Sequence, residues 1–271
     1  MVARDATHIE FKKEAELTNR AGSKLRIRIA RTLRLLDKPA IATALKTELP
    51  DGLAVVAYRS TNALTNCGDT AWTRDSGLVS IWLLGMFKHG PGVTVVAPLK
   101  DGPGNAVNFD YFGPLTPERL RTTEKAVFFK ADGAYRSKIG VPPARSTGVV
   151  GSYDPQRKTL TLLRCEVPAA AASLPYVRSQ WMDHSAPYAG DLINAYNDGA
   201  PAPGEAPLGP FHELETSSPA LPLEPGMTLT HLQDTIHLEG DPKLLDPVAR
   251  AVLGVSLEEI TRALTPAATA P

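Results

Sequence analysis

Short alternating segments recur along this chain, each ended by a turn signal, and no long helical periodicity competes with them. Apolar and polar residues alternate over Lys24–Leu35, Ala54–Asn66, Gly92–Pro98, Ala126–Lys130, Tyr135–Val141, Gly148–Tyr153, Thr159–Val167, His212–Thr216 and Met227–Leu238. A period of two marks strands that bury one face. Pro50-Asp51-Gly52, Cys67-Gly68-Asp69, Lys100-Asp101-Gly102 and Tyr153-Asp154-Pro155 separate the segments as turns. Many strands at short intervals predict an all-β fold, an antiparallel sandwich. Only a few short helices are expected, over Pro39–Thr47, Asp246–Leu253 and Ser256–Leu264. The last closes the chain, with Ser256 as N-cap and Glu258 and Glu259 in the first turn, where the helix dipole favours acid. Residues after Thr265 are expected to fray. With no internal repeat and no long linker, residues 1–271 are expected to form a single domain.

Charge narrows the partners. Lys plus Arg and Asp plus Glu number 29 each, so the chain has no net charge. A dedicated nucleic-acid binder needs a cationic surface, and none is expected here. The basic run Lys24–Arg34 alternates Arg26 and Arg28 with Leu25, Ile27 and Ile29, which reads as a strand with one solvated face. No apolar run reaches about 18 residues, so membrane insertion is not expected. Met1–Arg20 is charged throughout and has no signal-peptide pattern. A soluble protein is expected, either cytoplasmic or secreted with its signal removed. Cys67 and Cys165 make neither a disulfide framework nor a zinc motif, and buried thiols are the simpler expectation.

The polar residues concentrate between Gly190 and His237. Glu213 and Glu215 share one face of a strand, where mutual repulsion raises at least one pKa if the pair is partly buried. A carboxyl tuned toward neutrality serves as a general acid or base. His231, Gln233, Thr235 and His237 make a polar stripe on another strand, which faces either solvent or a cleft. These histidines with Glu213 or Glu215 also admit a divalent-metal reading, although no compact histidine spacing supports one and no cofactor is expected. Asp191 and Asn194 suit hydrogen bonding to sugar hydroxyls, and Trp181, Tyr188 and Tyr196 suit stacking on a ring. Asn197-Asp198-Gly199 reads as a turn, and Ala200–Pro210 as a binding-site loop. Arg136 and Lys138 lie on one strand face and can meet a substrate carboxylate or phosphate, or neutralise the two glutamates. Arg74, Asp75 and Trp82 are candidates for the same cleft. No phosphate-binding glycine loop, GxSxG nucleophile or CxxC is present.

Leu214-Glu215-Thr216-Ser217, then Pro219-Ala220, then Leu223-Glu224-Pro225-Gly226 resembles the C-terminal part of aldose 1-epimerases (galactose mutarotases). Val55-Val56-Ala57-Tyr58 leading to Leu64-Thr65-Asn66 is similar to a mutarotase strand ending in a threonine-asparagine turn. Five further stretches, Ser76–Phe87, Tyr135–Gly140, Gly190–Gly204, Leu208–Ala220 and Leu253–Ile260, are similar to motifs of an uncharacterised bacterial family in that superfamily. The resemblance implies a β-supersandwich with a sugar-binding cleft on its concave face, and it leaves room for strands before Met1. It maps the mutarotase base onto Glu215. The mutarotase histidine acid has no counterpart, because Asp75–Trp82 contains no histidine where the family signature has one. A carbohydrate-active protein follows as the expectation, with a sugar or oligosaccharide as partner. Glu215 is its base and His231 or His237 its acid, while Glu213, Asp191, Asn194, Arg136, Lys138, Trp82 and Arg74 hold the substrate. Ring-opening isomerisation and β-elimination from a uronate both fit. A non-catalytic sugar-binding protein and a metal-dependent enzyme built on His231, His237 and a glutamate are the competing readings.

Overall fold

A computed structural model describes residues 1–180 and 182–265. Its fourteen strands form two antiparallel sheets. The large sheet takes β1 (Ala3–Arg4), β2 (His8–Thr18), β3 (Lys24–Leu35), β4 (Ala54–Asn66), β6 (Thr94–Pro98), β7 (Leu120–Thr122), β8 (Ala126–Lys130), β10 (Val149–Asp154), β11 (Thr159–Cys165) and β14 (Thr228–Glu239). Its order is β1-β2-β3-β4-β14-β11-β10-β6-β8-β7. The small sheet takes β5 (Trp82–Lys88), β9 (Ser137–Val141), β12 (Ile193–Asn197) and β13 (Phe211–Ser217), in the order β5-β13-β12-β9. An all-β antiparallel sandwich is therefore what forms, as the alternation predicts.

The alternation also decides the layers. Odd residues of β12 and the even Leu214 of β13 point between the sheets, where Ile193, Ala195 and Leu214 meet Val95, Phe129, Val150 and Leu163 of the large sheet. The opposite face of the large sheet carries Val96, Phe128, Leu160, Leu162, Ile236 and Leu238. Three helices cover it: α1 (Lys38–Leu45), α2 (Pro242–Leu253) and α3 (Leu257–Arg262). Each starts where the sequence supplies a cap. Asp37 and Asp241 accept backbone N–H groups ahead of a proline, and Ser256 with Glu259 completes a capping box. The order through the molecule is helices, large sheet, small sheet, so the outer face of the small sheet is left for function.

Several expectations need correction. The alternation does not predict β2, because charges fall on both faces of His8–Thr18 and most of it is exposed on both. Nor does it predict β5 and β12. Cys165 is buried, but Cys67 is only half-buried, and neither is in a disulfide. Residues 266–271, where the sequence suggests fraying, lie outside the described residues. No helix among the described residues is long and apolar enough to cross a membrane.

Candidate functional site

The residues of β13 with odd numbers face away from the core. Register places Glu213 beside Met86 of β5 and Tyr196 of β12, and Glu215 beside Leu84 and Asn194. On the next strand, Tyr196 pairs with Lys138 and Asn194 with Gly140. Four strands therefore bring Trp82, Glu213, Glu215, Asn194, Tyr196 and Lys138 onto one surface.

The centre of that surface is an ion pair. Lys138 Nζ donates to Glu215 Oε2 at 2.9 Å, and Trp82 Nε1 donates to the same oxygen at 2.7 Å. The ammonium sits 4.9 Å from the Trp82 ring centre and 5.2 Å from that of Tyr111, so aromatic faces flank the charge. Glu215 is fully buried, and its second oxygen has no other partner among the described residues. Glu213 lies beside it on the same face of β13. Burial pushes the Glu213 carboxyl up to about 8, with the neighbouring Glu215 charge adding to the shift. At neutral pH the Glu213 carboxyl is therefore protonated.

A cavity of about 380 Å³ opens over this surface. Trp82, Leu84, Arg136, Lys138, Tyr196 and Glu213 form its floor, and Tyr111, Phe112, Ser179, Gln180, Met182 and Leu208 come from loops around it. Arg136 lies over the Phe112 ring at 5.1 Å, and its Nε donates to the Tyr196 hydroxyl at 3.1 Å. That hydroxyl donates in turn to Asp198 at 2.7 Å. Lys138 is neutralised by Glu215, whereas Arg136 has no carboxylate in ion-pair range among the described residues. Its guanidinium leaves a positive charge in the cavity wall.

Asp191 and Asn194 are brought to the site but lie beneath it. The Tyr111 hydroxyl is 2.8 Å from Asp191 Oδ2 and 2.8 Å from Asn194 Oδ1, and Asn108 donates to Asp191 at 3.0 Å. Burial raises the Asp191 carboxyl to about 6 against these hydrogen bonds. Ser179 donates to the Tyr111 hydroxyl at 3.1 Å, so the two loops meet over the buried carboxylate. Gly140 makes room for it, since a Cβ there would overlap the Asp191 side chain.

The histidines are elsewhere. His231 and His237 project from β14 into the space between the sheets, on the far side of β13 from Glu213 and Glu215. His231 Nε2 is 2.7 Å from Thr216 Oγ1, whose hydroxyl donates to Gln233 Oε1 at 2.8 Å. His237 Nδ1 is 3.1 Å from Thr161 Oγ1, and its ring packs on Phe87. Burial lowers both, His231 to about 4, so neither is protonated at neutral pH. The polar stripe on β14 thus faces away from the carboxyl pair, buried at His231, Gln233 and Thr235 and half-buried at His237. The metal set of His231, His237 and Glu213 does not form either, and no group of three potential ligands gathers among the described residues. Arg74 also misses the cavity: it is exposed and stacks over Tyr188, whose hydroxyl accepts from Leu78 N. Asn197 and Asp198 are tied into the surrounding loops. Trp181 lies outside the described residues. Sequence reasoning misses Tyr111, Phe112, Ser179 and Gln180 in the wall. The aromatic cluster Asn108-Phe109-Asp110-Tyr111-Phe112 between two turns is the readable signal for the first two.

Comparison with known proteins places the fold. One family model matches, over residues 1–264, and its description is a family of unknown function (DUF6786). No curated protein matches the sequence. Among solved structures, a protein of Escherichia coli K12 provisionally described as an aldose 1-epimerase is similar at 12% identity and a TM-score of 0.53. The match covers 87% of this chain and 67% of that one, so the chain spans about two thirds of its length. A galactose mutarotase-like protein from Lactobacillus casei ATCC 334 is similar at 11% identity, with a TM-score of 0.44 and coverage of 87% and 71%. The sandwich is mutarotase-like, and at these identities the likeness concerns the fold alone.

Proposed function

The chain belongs to the family of unknown function DUF6786, and from its mutarotase-like fold and outer-face cavity we propose that it binds a sugar and performs acid–base chemistry on it. The observation that carries this reading is the Glu213–Glu215 pair under an aromatic cavity. One carboxyl lines the cavity and carries a proton at neutral pH, and the other is held as the partner of Lys138 and Trp82. A cavity-lining carboxyl that burial beside a second carboxylate keeps protonated at neutral pH is a candidate general acid. In this reading Glu213, the cavity-facing member, passes its proton to a sugar oxygen. Glu215 is a positioning residue whose charge keeps that proton in place until the substrate takes it. Trp82, Tyr111 and Tyr196 supply apolar faces for a ring, and few polar groups fix its orientation. Ring-opening isomerisation is served by such a transfer when the anomeric hydroxyl releases its proton to water, which then reprotonates Glu213. β-Elimination from a uronate is served when Glu213, ionised first to water, takes the C5 proton and hands it to the departing oxygen. The unneutralised Arg136 favours an acidic sugar.

A second reading, binding without chemistry, is favoured by the histidine placement, which leaves Glu213 as the one carboxyl in the cavity wall. The test is a panel of neutral and acidic sugars followed by Trp fluorescence and by anomer exchange in magnetisation-transfer NMR. Binding with exchange lost in Glu213→Gln supports chemistry. Saturable binding without exchange or product supports the second reading, and no binding anywhere in the panel sinks both.

A further inference from the structure

The cavity over the carboxyl pair has a neighbour. A second cavity of about 400 Å³ is lined by Leu78, Val79, Ser80, Val177, Arg178 and Ser217, among others. It shares Trp82, Ser179 and Gln180 with the first. The two are lobes of one groove, with the indole at their junction. Either lobe alone lies near the lower end of ligand-site volumes, roughly 300–1,000 Å³, and the joined groove lies well inside that range. The indole is not free to swing, because its Nε1 is bonded to Glu215. The junction is therefore a fixed platform reached from both sides.

We propose that this groove takes an extended carbohydrate, the end of an oligosaccharide, with one unit over Glu213 and the next in the Leu78–Ser217 lobe. This rests on the sugar-binding reading above and adds the size of the ligand to it. The chemistry of the second lobe fits. Leu78, Val79 and Val177 offer apolar contact to ring faces, and Ser80 and Ser217 offer hydroxyls beside them. The segment dividing the lobes also supplies a polar group. Arg178 lines the second lobe, and its guanidinium donates to Asp110 through one terminal nitrogen at 3.2 Å. The remaining guanidinium N–H groups of Arg178 suit the oxygens of ligand hydroxyls. The second lobe holds no acid–base pair of its own, so it binds and does not react. A free monosaccharide would fill only half the groove.

The experiment compares affinities along two matched series, glucose to cellotriose and galacturonate to trigalacturonate, by calorimetry on the full chain. The dimer or trimer of a binding series is expected to bind at least tenfold tighter than its monomer. Val79→Trp, which fills the second lobe, is expected to collapse that ratio toward one. Arg178→Met, a smaller change, is expected to reduce it, and thermal melts confirm that each variant is folded. Monomer and oligomer binding equally tightly would overturn the two-unit groove while leaving the sugar-binding reading intact. Both folded variants keeping the wild-type ratio would overturn the groove in the same way. No binding by any member would overturn the sugar reading and this inference with it.

Discussion

Glu213 holds its proton to about pH 8 because it is buried beside another carboxylate, and this makes its contribution to stability depend on pH. In the unfolded chain the carboxyl ionises near its ordinary value of 4.5. Between that value and about 8 the folded state binds the extra proton, so this group's contribution is greatest at low pH and is lost as pH rises through 8. Glu213→Gln keeps the shape and removes the ionisation. We expect it to leave stability nearly unchanged at pH 4.5 and to raise it at pH 9. The gain should be on the order of 2 kcal/mol, less than the full shift implies, because solvent reaching the cavity screens the charge. Urea melts of both proteins across that range check the sign, and a constant difference would refute it. The two-residue spacing makes this pair legible in the sequence. Which member faces the cavity is not legible, because Trp82 and Lys138 pull Glu215 down from strands far away in the chain.

At the scale of an element, the small sheet depends on charges that close on each other. Lys138 of β9 is the partner of a fully buried carboxylate two strands away. Lys138→Met leaves that charge alone and should cost roughly 3–5 kcal/mol. The double variant Lys138→Met/Glu215→Gln should recover most of the loss, and a double-mutant cycle in guanidinium measures it. Gly140 makes a second case on the same strand. Gly140→Ala drives a methyl group into Asp191, which anchors the Tyr111 loop, so the melting temperature should fall and the loop amides should exchange faster with deuterium. Strand positions are readable where one face is buried: β4 spans Ala54–Asn66, as the alternation predicts. They are not readable in β12, which is buried throughout and whose Asn197, followed by Asp198 and Gly199, signals a turn.

Across the whole molecule the two sheets are joined by a polar seam as well as an apolar core. Thr216 of β13 bridges His231 and Gln233 of β14 inside that seam. Thr216→Val strands both partners and should cost about 1–3 kcal/mol, while sugar affinity stays within about twofold. A parallel loss of affinity would show that seam and cavity are one unit. Burial holds His231 and His212 near 4, below their ordinary 6.5. The unfolded chain takes up protons first as pH falls, so these groups erode stability between pH 6.5 and 4. In Glu213→Gln, where the opposing trend is gone, acid sensitivity below about pH 6.5 should be steeper than in the wild type, as denaturant midpoints at each pH will report. The sequence shows that the histidines share a face, but the layer which that face meets is set by packing between sheets. One strand thus serves two masters. Along Phe211–Ser217 the even-numbered side chains belong to the interior and the odd-numbered ones to the cavity side. Mutational drift at Glu213 or at its neighbours Leu84 and Tyr196 can therefore alter what is recognised while the interior keeps its sequence. Descendants of this chain are free to diverge in specificity faster than in architecture, and a library randomised at every second position would sample that freedom directly.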